Sequence, residues 1–554
     1  MNDAAQYHVL LVDDEKLVRF TISAFLRRHG FDVVEAASPA EAMASVKRTH
    51  YDAIISDVMM GDIDGFVFRD MIRQFDATVP VVFLTSMVND YGNWLLKKIS
   101  EDVRSYFVTK GEALDMLESR VRRIIASYET ERENEKIKRD FDTGLELASF
   151  VQRSLLPPWV NLFTTYQYGV AWSPFEQVSG DLYELVQLSA TTCLVICGDV
   201  SGHGIRSALA MTGLQSYMKR FHEYDDRRAS NVCAVARGLH EFISTNLRDI
   251  VYMVGVVIYV DFGHNRIRFV NAGMPPIRCV RAGTGEHVDL NPGNRGAMPF
   301  GLMPGATYTE DDVVEATFAD DDVFIVTTDG VLDCHAAGNA DETVPEDFFA
   351  NACSVVVESD AQSGMVGQTA SAILKAVHES GYEQAQDDQT VIVFRKTSVT
   401  KGQIVKEVPV RPEKIDAFAQ LFGAFARELT GDLELESKVS LLLDEFLMNV
   451  YNHGLDNYSR LVDYAVVMGR LVGGNFELTV WDRGRSWNVL SDMTLEDAQK
   501  KLDERNVLMA GSGRGTAIMR MLSEGGVQQD RIGEINRTVL RIPYQARREN
   551  SQPQ

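Results

Sequence analysis

The sequence predicts a multidomain fold of mixed α/β and α+β type, and three observations lead there. The chain has 554 residues, enough for roughly three to four domains that each bury a core. Short apolar runs alternate with amphipathic stretches from Val9 to about Ala126, the pattern of a doubly wound parallel sheet. Two later segments, from about Tyr166 to Lys396 and from about Gln403 onward, mix β-type runs with longer helical patterns. These shifts divide the chain into 1–126, a helical connector at 127–158, 159–398, 399–545 and a polar tail at 546–554.

A hydrophobic fraction of 45% is ordinary for globular chains. The formal net charge of -24 disfavours direct nucleic-acid binding, which draws on clustered Lys and Arg. Protein and nucleotide partners are expected instead. The six cysteines form no CxxC pair and no metal-ligand spacing, as in a chain of scattered reduced thiols. The strand pattern begins at His8, leaving no room for a signal peptide, and the longest apolar run, near Val251 to Val260, is too short to span a bilayer. A cytoplasmic protein without a membrane segment is the expectation.

In the first segment the apolar runs Val9 to Val12, Ala53 to Ser56, Val81 to Leu84 and Tyr106 to Val108 read as strands. Chemistry in doubly wound sheets gathers at the carboxyl ends of strands, and these ends carry Asp13, Asp14, Asp57, Thr85 and Lys110. Converging carboxylates repel unless a divalent cation lies among them, and oxygen-only ligands suit Mg²⁺. Thr85 and Lys110 offer a hydroxyl and an ammonium to phosphoryl oxygens. The segment resembles a response-regulator receiver domain of (βα)5 type. The resemblance implies Asp57 as phospho-acceptor, Asp13 and Asp14 with Asp57 as the Mg²⁺ site, Phe107 as the aromatic switch, and an upstream histidine kinase. Gly61 and Gly111 stand where the family usually has proline.

The connector carries apolar residues at helical spacing (Leu114, Leu117, Val121, Ile124, Tyr128), a polar run from Glu131 to Lys136, and a second seam at Ile137, Phe141, Leu145, Ala148 and Val151. Pro157-Pro158 ends it. Two readings stay open: a dimerising signalling helix whose register is weakened by the polar run, or an amphipathic helix lying on its own domain.

In the middle segment, acidic residues stand at the ends of β-type runs: Gly180-Asp181, Asp199 within Gly198-Asp199-Val200-Ser201-Gly202-His203-Gly204, Thr328-Asp329-Gly330, and Asp387-Asp388-x-Thr390. Aspartates beside glycines at strand ends suit hard divalent cations, which can ionise a water for in-line attack on phosphorus. Any one such site alone is an ordinary turn; their combination resembles the sporulation and stress-response branch of the PPM family of metal-dependent Ser/Thr phosphatases. The resemblance implies a β-sandwich flanked by helices, with Asp181, Asp199, Asp329, Asp387 and the Val200 carbonyl holding two Mg²⁺ or Mn²⁺ ions. It also implies, as substrate, the phosphoserine or phosphothreonine of a STAS-domain antagonist. Glu184 replaces a frequent aspartate, Met274 a frequent histidine, and His203 is either a proton donor or a structural turn residue.

In the last segment a helical pattern from Glu436 to Gly454, with Leu441, Leu442, Leu443, Phe446 and Val450 on its buried side, aligns Glu445, Asn449 and His453 at i, i+4 and i+8. Downstream, the run from Glu477 to Trp481 ends in Asp482-Arg483-Gly484, and Gly511-Ser512-Gly513-Arg514-Gly515 opens a helical pattern whose N-terminus can face phosphate. With Thr538 these resemble the GHKL ATPases, of Bergerat α/β-sandwich fold, and among them the anti-sigma-factor serine kinases. The resemblance implies Mg-ATP, with Glu445 as general base, Asn449 as Mg²⁺ ligand, Asp482 and Thr538 as adenine contacts, Gly484 among the nucleotide-binding residues, and Gly513 and Gly515 in the lid. No phospho-accepting histidine box precedes the segment, and Arg485-Ser486 stand where a further glycine is usual.

Together these readings predict a partner switch. Receiver phosphorylation would set the balance between dephosphorylating and phosphorylating a STAS-type antagonist, with a sigma or anti-sigma factor downstream and a homodimer through the connector. Two rivals remain at this stage: a nucleotide-binding last segment that sequesters a sigma factor or antagonist without kinase turnover, and a vestigial one.

Overall fold

The computed structural model describes residues 7–544 except 62, 77, 86–101, 103, 111–113, 248–249, 282–283, 292–295, 361–364, 398–401, 456–462, 487–492, 504–513 and 525. Gly111 and Gly513 lie outside the described residues. The chain divides into two compact units, Met1–Gly144 and Leu145–Gln554.

The first unit is built on five parallel strands: β1 (His8–Val12), β2 (Asp32–Ala36), β3 (Ala53–Asp57), β4 (Val81–Thr85) and β5 (Ser105–Thr109), in the order β2-β1-β3-β4-β5. The expected strands fall within them. Burial on both faces explains the unbroken apolar runs of β1 and β4. Gly61 has φ 56, a region that proline's ring forbids, so glycine meets a local requirement of this loop.

One uninterrupted helix, Leu114–Leu155, spans 42 residues. Leu117, Val121 and Ile125 join the core of the first unit, and the Tyr128 hydroxyl donates to Thr78 Oγ1 at 2.7 Å. The expected seam thus shifts from Ile124, which is only half-buried, to Ile125. The polar run from Glu131 to Lys136 is exposed helix, and Ile137 and Phe141 beyond it are exposed as well. Early in the connector, the helix lying on its own domain is what the structure shows.

In the second unit two antiparallel sheets stack. One runs Val313–Thr317, Arg266–Ala272, Met253–Asp261, Thr192–Val200, Asp181–Gln187; the other runs His287–Asp289, Arg278–Val280, Val323–Thr327, Gln389–Lys396, Tyr166–Ser173, Val160–Leu162. Tyr168, Val170, Val195, Val256, Ile258, Phe324 and Ile392 fill the space between them. Helices Ile205–Met218 and Val232–Asn246 cover the first sheet, and Glu346–Asp360 and Val366–Glu379 the second.

A third sheet follows in the order Gln403–Pro409, Tyr464–Val472, Asn475–Asp482, Ile535–Pro543, Gly526–Ile532. Because side chains alternate along a strand, Phe476, Leu478 and Val480 meet helices Pro412–Thr430 and Leu433–Asn449 on one face. Val466, Met468, Trp481 and Ile535 meet Val366, Ala370, Ile373 and Val377 on the other. The Trp481 indole N–H donates to Gln368 Oε1 at 2.9 Å. Tyr464 stacks on Trp159 at 5.9 Å, and its hydroxyl accepts from the Val160 N–H and donates to the Val160 carbonyl, both at 3.0 Å. Two sequence expectations change here. Leu441 is 46% exposed, and the helix gives way at Val450–Gly454 to a π turn, so His453 leaves the 3.6-residue repeat set by Glu445 and Asn449.

Candidate functional sites

At the top of the parallel sheet, Asp13 follows β1, Asp57 ends β3, Thr85 ends β4 and Lys110 follows β5. Among the described residues, only Asp13, Asp14 and Asp57 bring three carboxylate oxygens within 4.8 Å of one another. Lys110 Nζ lies 2.6 Å from Asp57 Oδ2 and 3.0 Å from Asp13 Oδ2. Burial raises the pKa of Asp57, and Lys110 works against that rise. Oxygen-only donors at this spacing fit a Mg²⁺ ion.

The second cluster forms where the first sheet of the second unit meets the loops of the other. Asp181 and Asp199 are register partners on adjacent strands; Asp329 and Asp387 follow or precede strands of the opposite sheet. Asp181 is 1% exposed. Its Oδ2 accepts from Thr328 Oγ1 at 2.8 Å and from Thr390 Oγ1 at 2.6 Å, while its Oδ1 is buried without a hydrogen-bond partner. A Cβ placed on Gly180 would lie 3.0 Å from the Val200 carbonyl oxygen and 3.2 Å from Asp199 Oδ1, so a side chain there would crowd both groups. Burial and then the neighbouring Asp329, Asp387 and Asp388 push Asp199 up to about 8; burial and then Asp199 raise Asp181. An unpaired buried carboxylate oxygen amid mutually repelling carboxylates and a carbonyl suits hard divalent cations.

Neighbouring motif residues have other work. The Asp388 carboxylate accepts from the Phe175 N–H at 2.8 Å and the Gly180 N–H at 2.6 Å, so of the Asp387-Asp388 pair it is the second that holds the loop. Glu184 is engaged by Lys219 at 2.8 Å, His222 at 3.0 Å and Gln215 at 2.8 Å. His203 is exposed and faces Glu176 at 3.4 Å. Thr328, Thr390 and Asp388 stood in the sequence motifs without a role; the pairings that give them one span 147, 209 and 208 residues.

The third cluster lies on the helix-covered face of the last sheet. Asp482 shares that face with Val480, and Thr538 is the register partner of Val480. Asp482 Oδ1 accepts from the Gly484 N–H at 2.8 Å and Asn536 Nδ2 at 2.9 Å; its Oδ2 is buried and unpartnered. A Cβ on Gly515 would lie 2.6 Å from Glu445 Oε2 and 3.3 Å from Asn449 Nδ2, so the start of helix Arg514–Leu522 abuts both residues. Burial, then the neighbouring Asp444, raises the pKa of Glu445. Asn536, which the sequence reading passed over, also donates to the Gly484 carbonyl at 2.9 Å.

Comparison with known proteins finds family matches in the first unit and in the two-sheet sandwich. Residues 9–122 match the response regulator receiver domain, and residues 189–397 match the family described as Stage II sporulation protein E (SpoIIE). The chain carries a receiver domain and a SpoIIE-type domain. It is 27% identical over 190 residues to "Phosphoserine phosphatase RsbP" of Bacillus subtilis, covering 34% of this chain and 45% of that one. It is 39% identical over 83 residues to "Transcriptional regulatory protein YvrH" of the same organism, covering 15% and 35%. The chain thus spans less than half the length of either relative. A solved structure of the RsbU and RsbW domains of Rv1364c from Mycobacterium tuberculosis aligns over 68% of this chain and 93% of that one, at 18% identity and TM-score 0.35. Among the described residues no helix is long and apolar enough to cross a membrane.

Proposed function

We propose that the chain is a phosphorylation-controlled regulator whose SpoIIE-type domain dephosphorylates a phosphoserine- or phosphothreonine-bearing partner. The observation that carries this reading is the Asp181 carboxylate, buried with one oxygen unpaired beside Asp199 and the Val200 carbonyl. Asp181, Asp199, Asp329, Asp387 and the Val200 carbonyl would hold Mg²⁺ or Mn²⁺, which when bound supplies an ionised water and neutralises phosphoryl charge. Thr328 and Thr390 fix the orientation of Asp181, and Asp388 fixes the Gly180 backbone. Asp57 would accept phosphate from a histidine kinase, with Thr85 and Lys110 binding its oxygens.

The partner proposed is a STAS-domain antagonist, the substrate class that the family resemblance implies. The last segment is proposed to bind Mg-ATP and return phosphate to that partner, with Glu445 taking the hydroxyl proton, Asn449 holding Mg²⁺, and Asp482 and Thr538 contacting adenine. Support comes from the unpartnered Asp482 oxygen and the convergence of Glu445, Asn449 and Gly515. The test runs both directions on one partner. Asp199→Ala should abolish Mn²⁺-dependent phosphate release while leaving transfer from ATP, and Glu445→Ala should do the reverse. Release that survives Asp199→Ala refutes the phosphatase assignment; transfer equal after Glu445→Ala refutes the kinase.

A further inference from the structure

Gln152 lies in the last turn of helix Leu114–Leu155 and is 2% exposed. Its carboxamide closes a ring with one backbone unit: the Ser179 N–H donates to Gln152 Oε1 at 3.0 Å, and Gln152 Nε2 donates to the Ser179 carbonyl at 2.9 Å. Nε2 also reaches the Ala208 carbonyl, on the helix after the Gly202-His203-Gly204 turn, at 3.1 Å. Ser179 lies in the irregular stretch between strands Tyr166–Ser173 and Asp181–Gln187, where no ladder partner satisfies its backbone. The Ser179 hydroxyl accepts from the Asp181 N–H at 3.0 Å, and Gly180 between them lies so close to Val200 and Asp199 that an added Cβ would crowd both.

A buried amide that spends itself on backbone groups is not there to fill space, since an apolar side chain of similar volume would do that at less desolvation cost. We propose that Gln152 is a positioning residue for the phosphatase cluster, acting through Ser179 to set the place of Asp181 and through Ala208 to tie the Asp199 turn to the same point. The idea rests on the phosphatase reading for its purpose, while its geometry concerns cation binding alone. It also makes the last turn of the connector part of the cation site, so a shift of that turn alters cation affinity before it alters any group that touches phosphate.

The test is Mn²⁺ titration calorimetry on the full chain, with Asp199→Ala defining which heat belongs to this cluster. Gln152→Met keeps the volume and removes the hydrogen bonds, Gln152→Ala removes both, and Ser154→Ala is the neighbouring control. Both Gln152 variants should weaken Mn²⁺ binding about tenfold or more, the effect typical of groups that orient metal ligands. The Mn²⁺ half-saturation for p-nitrophenyl phosphate hydrolysis should rise equally, with kcat at saturating Mn²⁺ near that of the parent. Parent-like Mn²⁺ affinity in Gln152→Met overturns the proposal, as does a loss of kcat that saturating metal does not restore, or failure of both variants to fold. Should the parent hydrolyse nothing while Asp199→Ala still removes a Mn²⁺ heat, the phosphatase reading falls by itself and the affinities still decide the role of Gln152.

Discussion

Asp181 shows how the fold can leave a single carboxylate poised for the cation proposed for it. Two threonine hydroxyls occupy one carboxylate oxygen and leave the other buried and unpaired, an arrangement that costs stability unless a cation completes it. Asp199 carries the same tension, with its pKa pushed up to about 8 by burial and neighbouring carboxylates. A raised carboxyl pKa means that the folded state holds more protons than the unfolded one between the ordinary value and about 8, so stability falls as pH rises through that window. The cation-free chain should therefore melt at lower temperature at pH 8 than at pH 5.5, and added Mn²⁺ should raise the midpoint more at pH 8. Differential scanning fluorimetry checks both signs. Gly180→Ala, which crowds Val200 and Asp199, should lower Mn²⁺-dependent phosphate release at least tenfold without abolishing folding, measured with far-ultraviolet circular dichroism alongside. The aspartates were legible in the sequence because glycine neighbours and strand ends marked them. Thr328, Thr390 and Asp388 were not, because their roles exist only across pairings between distant parts of the chain, and Asp387-Asp388 spacing alone cannot say which carboxylate faces backbone.

At the scale of elements, apolar periodicity reports burial and not helicity. The run Glu131 to Lys136 broke the seam in the sequence, yet Glu, Arg and Lys are good helix formers and the helix continues through it. At His453 the regular repeat extends past the point at which the backbone changes to a π turn, whereas Leu441, inside the helix, faces solvent beside buried Leu442 and Leu443. The parallel sheet was read closely because strands buried on both faces announce themselves as short apolar runs between helices. One element prediction follows from helix Arg514–Leu522, whose second residue, Gly515, abuts Glu445 and Asn449. Gly515→Val should reduce binding of a fluorescent ATP analogue at least tenfold by pressing into those two side chains, while phosphate release by the middle segment stays within about twofold. Equal nucleotide binding by the variant would remove Glu445 and Asn449 from the nucleotide site.

For the whole molecule, the segments that the sequence divides at 159–398 and 399–545 pack within one compact unit, residues 145–554. The reason is the exposed-looking face of the last sheet, where Val466, Met468, Trp481 and Ile535 complete the core begun by helix Val366–Glu379. No single-sequence pattern shows which helix an apolar sheet face will meet. Trp481→Ala should cost about 3–5 kcal/mol and lower the melting of both segments together, giving one calorimetric transition for residues 145–544 instead of two. Loading Asp57 with beryllofluoride should change the rate of phosphate release at fixed Mn²⁺; an unchanged rate would separate the receiver from the output. The shared core around Trp481 has a bearing on how such a protein is dismantled. A protease that clips between Lys396 and Gln403 would leave two fragments still clasped by Trp481, Tyr464 and Gln368, so a nicked chain should elute at its uncut size and lose its integrity only under denaturant.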